Sequence, residues 1–248
     1  MNDVRKNEIN QKMDIGGIEL NYELFGEKNA NVTMVFDSGY GWDLNNWNSI
    51  RNEVSKFAKM FIYDRAGIGE SGIDDRPRHS KQNVANLRIL LQKAGVKPPY
   101  VLVGHSFGGA NVRLFASEYP EEVAGVILLD SVHENQNKFM APLFSDTVKE
   151  EYYGQFRFEA SLNEFEESLE QVRASKPLGN IPLLVVTGGA QPHHTSDSWT
   201  YWTKFQEELV KLSTNSKHII VEDAGHAIHI DRPDAVIKAL KEMYELVK

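Results

Sequence analysis

The chain has 248 residues, 41% hydrophobic and 25% charged, with a formal net charge of −8 and no cysteine. That length suits a single α/β domain around one large core. The lack of cysteine excludes disulfides, thiolate metal sites and a cysteine nucleophile. An acidic balance with no basic stripe argues against a nucleic-acid surface.

The stretch from Met1 to Gln11 is polar and charged, with neither an apolar leader core nor a cleavage-site pattern. No apolar run approaches the roughly 18 residues needed to span a bilayer, so the expectation is a cytoplasmic protein. Lys12–Ile15 and Ile18–Phe25 read as a hairpin turning at Gly16-Gly17. Val32–Phe36, Met60–Tyr63, Tyr100–Val103, Val123–Leu129, Ile181–Val186 and His218–Val221 are compact apolar runs, as strands covered on both faces should be. Helical patterns lie between them, at Trp47–Phe57, Lys81–Ala94, Phe107–Tyr119, Ser198–Leu212 and Pro233–Val247, and Gly95 and Pro120 close two of these. The alternation predicts an α/β fold: a mostly parallel central sheet of about eight strands with helices on both faces.

One stretch breaks the rhythm. From His133 to Asn180 no strand is expected, although strands flank it. Leu162, Phe165, Leu169 and Val172 share one helical face, and Ser161 with Glu164 forms a capping box at its start. Residues 133–180 are therefore expected to form a helical cap inserted into a core made of 1–132 and 181–248.

The segment that carries chemistry is Tyr100 to Gly109, a buried strand, then Gly104-His105-Ser106-Phe107-Gly108, then a helix. This is G-x-S-x-G at a strand-to-helix junction. A serine on so tight a turn takes a strained backbone that thrusts its Oγ outward, and the glycines remove side chains that would collide. The helix beginning after Ser106 aims its first N–H groups where an oxyanion would develop. His105, inside the motif, is expected to face away from Ser106 and to pack in the core.

On these residues the chain resembles the α/β-hydrolase superfamily, over nearly its whole length. Phe36-Asp-Ser-Gly39-Tyr40-Gly41 is similar to the family's oxyanion loop, with Ser38-Gly39 in place of the usual His-Gly. Tyr63-Asp64-Arg65-Ala-Gly67-Ile-Gly69-Glu-Ser71 resembles a mainly structural turn of the family, and Ala224-Gly225-His226 resembles the Gly-His that delivers the base. The resemblance implies a serine hydrolase with Ser106 as nucleophile, His226 as base, and the backbone N–H groups of Tyr40 and Phe107 as the oxyanion hole. His229 is a weaker candidate for the base.

The acid has two candidates. In most of the family it follows the strand after the cap, but here that strand leads into Thr187-Gly-Gly-Ala-Gln-Pro-His-His, with no carboxylate before Asp197. Asp130 ends the strand Gly125–Leu129, at the catalytic edge of an α/β sheet, where a subset of the family places its acid. Asp130 is preferred and Asp197 is the alternative. His193 and His194 stand near Asp197 as a metal set, but no further ligand of suitable spacing appears, so no metal and no cofactor is expected.

The cap carries Phe139, Met140, Leu143, Phe144, Tyr152, Tyr153, Phe156, Phe158 and Phe165. A few of these are expected to line an apolar pocket over Ser106, with Tyr40, Trp42 and Trp47 opposite. The implied activity is hydrolysis of small to medium apolar esters. An amide, lactone or carbon–carbon bond hydrolase and a ligand-binding receptor of the same fold are the alternatives. A small-molecule partner is expected, and no nucleic acid or membrane span.

Overall fold

The computed structural model describes residues 11–248; the polar stretch before Gln11, and with it the reading that no leader is present, lies outside the described residues. Eight strands form one sheet: β1 (Gln11–Asp14), β2 (Glu19–Gly26), β3 (Thr33–Asp37), β4 (Lys59–Tyr63), β5 (Tyr100–His105), β6 (Val123–Leu129), β7 (Leu183–Gly188) and β8 (Ser216–Val221). Their order is β1-β2-β4-β3-β5-β6-β7-β8. β1 and β2 pair antiparallel, as does β2 with β4, and the other strands are parallel. The helices are α1 (Arg51–Val54), α2 (Ser80–Lys93), α3 (Phe107–Glu118), α4 (Asp146–Gly154), α5 (Leu162–Arg173), α6 (Ser196–Val210), α7 (Ile228–Asp231) and α8 (Pro233–Val247).

The central strands are apolar throughout because both faces are covered, and successive residues serve opposite cores. Val35, Leu102, Val126 and Leu128 join α2 and α3 in one hydrophobic cluster. Met34, Phe36, Val101, Val103, Ile127 and Leu129 join α8 through Val236, Leu240 and Met243 in the other. Truncating Leu240 to alanine would cost about 2–5 kcal/mol, the usual range for emptying such a site.

Two expectations change. The helix foreseen over 47–57 is a short 3₁₀ turn at Leu44–Trp47, capped by Asp43, followed by the single turn of α1. Asn and Ser side chains there bond locally instead of supporting a continuous helix, as Asn48 does to Asn45 and Ser55 to the Asn52 carbonyl. β8, foreseen as buried, is an edge strand with Ile220 exposed.

Between β6 and β7 lie a π-helical turn (Gln136–Met140), a 3₁₀ turn (Ala141–Leu143), α4 and α5. The Ser161–Glu164 capping box opens α5, whose Phe165, Leu169 and Val172 sink into the same cluster as α3. Met140, Ala141 and Phe144 pack instead on Trp202 and Phe205 of α6.

Candidate active site

Only Ser106 separates the end of β5 from the start of α3. Its backbone sits at φ 52°, ψ −117°, a left-handed conformation that costs a non-glycine residue about 1–3 kcal/mol. Three hydrogen bonds hold it there: Ser106 N–H donates to the Leu129 carbonyl (3.0 Å), and the Ser106 carbonyl accepts from Gly109 (3.0 Å) and Val132 (3.2 Å). The flanking glycines are required by space. A Cβ on Gly104 would lie 2.5 Å from the Gly108 carbonyl oxygen, and one on Gly108 would overlap the Asp37 carbonyl.

Asp130 follows β6 directly, also at positive φ (43°), and its carboxylate is fully buried. One oxygen accepts from Gly188 N–H at 3.0 Å, and both accept from the Gln191 amide at 3.1 and 3.0 Å. The other oxygen lies 2.6 Å from His226 Nδ1. A hydrogen on Nδ1 donated to that oxygen leaves Nε2 as the nitrogen free to accept a proton. The His226 side chain is 42% exposed and borders the cavity that Ser106 also lines. Its loop is pinned from beneath by His105, whose Nε2–H donates to the His226 carbonyl at 3.0 Å. Burial holds the His105 pKa well below its usual value, with the neighbouring His229 and His226 adding to the effect. His105 therefore supports the loop as a neutral ring and faces away from the cavity.

The other candidates separate clearly. Asp197 is exposed in the first turn of α6, where it complements the helix dipole, and has no bond to His226. His229 is fully buried, within reach of Asn46 Oδ1 (2.8 Å) and packed on Trp47 and His105. The Phe107 N–H is the first of α3, an orphan donor by position. Neither it nor the Tyr40 N–H meets a backbone acceptor among the described residues. Gly39 lets the Tyr40 loop press on the elbow, because a Cβ there would stand 2.9 Å from His105 Nδ1.

The cavity, about 470 Å³, is bounded by Tyr40, Phe107 and Val132 and by Met140, Phe144, Tyr152, Phe156 and Phe165 of the β6–β7 segment. Of the aromatics expected there, Trp47 is instead buried in the opposite core, and Trp42 stands outside against His105. Phe139, Tyr153 and Phe158 face outward. Trp202, Gln191, His193 and His194, not anticipated as lining residues, complete the wall. Burial lowers the His194 pKa to about 3 and depresses that of His193, so both present neutral rings. The only signal for Gln191 is its place in the loop after β7, where the resemblance would put a carboxylate. Among the described residues no cluster of three or more metal-ligating side chains occurs, and no helix is long and apolar enough to cross a membrane.

Comparison with known proteins agrees with this architecture. Residues 32–164, just over half of the chain, match the model of the alpha/beta hydrolase fold. The uncharacterized protein YqjL of Bacillus subtilis is 31% identical over 216 residues, covering 87% of this chain and 84% of that one. Among solved structures, a thermophilic esterase of Thermogutta terrifontis superposes with a TM-score of 0.68 at 20% identity, over 93% of this chain and 94% of the other. The enol-lactonase of Burkholderia xenovorans LB400 gives 0.69 at 20%, over 94% and 99%. At those identities the structural likeness speaks for the fold alone. The chain belongs to the α/β-hydrolase-fold family.

Proposed function

We propose that this protein is a serine hydrolase that cleaves small to medium apolar carboxylic esters through an acyl-enzyme intermediate. The reading is carried by one observation: Ser106 and His226 border the same cavity, and His226 is oriented by a fully buried carboxylate 2.6 Å from its Nδ1.

In the first half-reaction, His226 Nε2 takes the Ser106 hydroxyl proton as Oγ attacks the ester carbonyl carbon. The resulting oxyanion is held by the Phe107 and Tyr40 N–H groups, and Asp130 stabilises the imidazolium. Collapse of the tetrahedral species breaks the C–O bond, with the proton passing from His226 to the departing alkoxide. Water then attacks the acyl carbon while giving a proton to His226. Collapse of the second tetrahedral species breaks the bond to Ser106 Oγ, His226 returns the proton to Oγ, and the carboxylic acid leaves. Asp130, not Asp197, is the acid in this scheme.

Residues 133–180 act as a cap over the core halves 1–132 and 181–248, and their Phe144, Tyr152, Phe156 and Phe165 give the acyl group an apolar wall. A cavity of this size and lining suits a ligand with a short acyl chain. Membership of the α/β-hydrolase-fold family supports hydrolytic chemistry in general.

Stopped-flow release of p-nitrophenol from esters of graded acyl length tests the proposal. The expected result is a burst followed by steady turnover, both lost in Ser106→Ala. Undiminished activity in that variant would remove Ser106 from the mechanism, and thermal stabilisation by esters without any turnover would favour a binding protein.

A further inference from the structure

Arg65 is buried between the β3–α1 loop and the residues just before α5, and each of its five N–H donors has an acceptor. Nε and Nη2 grip the two carboxylate oxygens of Glu159. Nη1 donates to Asp37 and, at 2.6 Å, to the Ser38 carbonyl, while Nη2 also donates to the Gly39 carbonyl at 2.7 Å. Glu159 is itself buried, and its Oε2 accepts from the Gly41 N–H at 2.8 Å. Beside it, the Tyr40 hydroxyl donates to the Ala160 carbonyl and accepts from the Ala160 N–H at 2.8 Å.

These contacts converge on one peptide unit. The Gly39–Tyr40 bond is trans, so its C=O and N–H point in opposite directions from a rigid plane. Fixing the Gly39 oxygen on Arg65 therefore fixes where the Tyr40 N–H is aimed. The Gly39 oxygen also accepts from the Trp42 N–H at 3.1 Å, while the Glu159 bond to the Gly41 N–H and the Ala160 bonds to the Tyr40 hydroxyl hold the residues that follow.

We infer that Glu159, acting through Arg65, is a positioning residue that aims the oxyanion donor at Tyr40. The segment above the cavity is then part of the catalytic apparatus as well as a wall around the substrate. This rests on the reading of Tyr40 N–H as an oxyanion donor. The guanidinium is suited to the task because its planar fork meets Glu159 with two donors while two others reach successive carbonyls of the loop. Charge balance also explains how the clamp can be tested. Glu159→Gln leaves Arg65 paired with Asp37, so no unmatched buried cation is created, but the amide offers one acceptor where the carboxylate offered two. The guanidinium then loses its fixed tilt.

The test compares wild type, Glu159→Gln and Tyr40→Phe for kcat and KM on p-nitrophenyl butyrate, for inhibition by an alkyl trifluoromethyl ketone, and for Tm. Rates are normalised to active sites by burst amplitude, which removes losses caused by unfolded protein. Glu159→Gln is expected to lower kcat about ten- to hundredfold with KM changed less than about threefold, since misaiming an oxyanion donor weakens the transition state and leaves the ground state. Inhibition by the ketone, whose adduct carries the oxyanion, should weaken by the same factor as kcat/KM. An unchanged normalised kcat in folded Glu159→Gln overturns the inference, as does a loss confined to KM. Should Glu159→Gln fail to fold, Tyr40→Phe, which removes only the hydroxyl tether, is expected to lose about threefold to tenfold in kcat, and no loss there overturns it. Ser106→Ala separates the two levels. Turnover surviving in Ser106→Ala would defeat the serine mechanism itself, whereas an inactive Ser106→Ala beside a fully active Glu159→Gln would defeat only the positioning role.

Discussion

Asp130 Oδ2 and His226 Nδ1 lie 2.6 Å apart although 96 positions separate them in the chain. The contact depends on the sheet: β6 ends at Asp130, and β8 with the loop behind it returns His226 to the same edge. Asp130→Asn preserves shape but removes the charge that stabilises an imidazolium. A fall in kcat of about 10³- to 10⁴-fold is expected on p-nitrophenyl butyrate. Asp197→Asn, altered at an exposed helix start, should stay within about twofold of wild type. Reversed outcomes would move the acid to Asp197.

The elbow glycines differ from a surface glycine in a way that substitution reveals. Gly108→Ala would drive a methyl group into the Asp37 backbone and should lower Tm and abolish ester turnover together. A Cβ on Gly154, at the end of α4, meets nothing within 4 Å. Gly154→Ala is expected to be neutral or to stabilise by about 0.5–1 kcal/mol. Thermal melts of both variants check this. A stable, active Gly108→Ala would contradict the close approach of α3 to β3.

The buried histidines give stability a definite pH dependence. Burial, together with the nearby His226, brings the His229 pKa from 6.5 down to about 4. Between those values the unfolded chain binds a proton that the folded one excludes, so this contribution is intact above pH 6.5 and is lost as the pH falls. At about 1.4 kcal/mol per unit, His229 accounts for a loss of about 2 kcal/mol between pH 6.5 and pH 5. Urea unfolding at several pH values should show a steep decline for wild type and a slope shallower by about one proton for His229→Gln. Identical slopes would exclude this source.

The cavity predicts a charge preference. No lysine or arginine lines it among the described residues, its one carboxylate is Glu151, and His193 and His194 are held neutral. An ester whose acyl chain ends in a carboxylate would be desolvated there without a counter-charge. The kcat/KM for p-nitrophenyl hemiglutarate is expected to fall at least about tenfold below that for the neutral pentanoate, with the gap narrowed in Glu151→Gln. Equal rates on the two esters would show that the carboxylate stays in solvent.

How much of this was legible depended on whether position along the chain or packing decided the outcome. The strands β3 to β7 announced themselves because double-sided burial demands continuous apolar runs, and α8 began at Pro233 and ended at Val247 as its pattern required. Ser106 stood out because a strand-to-helix junction with glycines on both sides has few other uses. Which aromatics face the cavity was not legible: Trp47 and Tyr40 are similar in composition terms, yet one is sealed in the opposite core and the other lines the pocket. Glu159 carried no signal at all. Its neighbours Arg65 and Gly41 lie about a hundred positions away, and only the folded chain reveals that a glutamate ahead of a capping box is an interior counter-ion.

The proposed mechanism requires the imidazole of His226 to activate the Ser106 hydroxyl. Intact-mass kinetics with a fluorophosphonate read that activation at the nucleophile itself. Rapid addition of one phosphonyl group is expected, mapped by peptide fragmentation to Ser106, with labelling slowed about a thousandfold or more in His226→Ala. Labelling at another residue, or an equal rate in the absence of the imidazole, would contradict it.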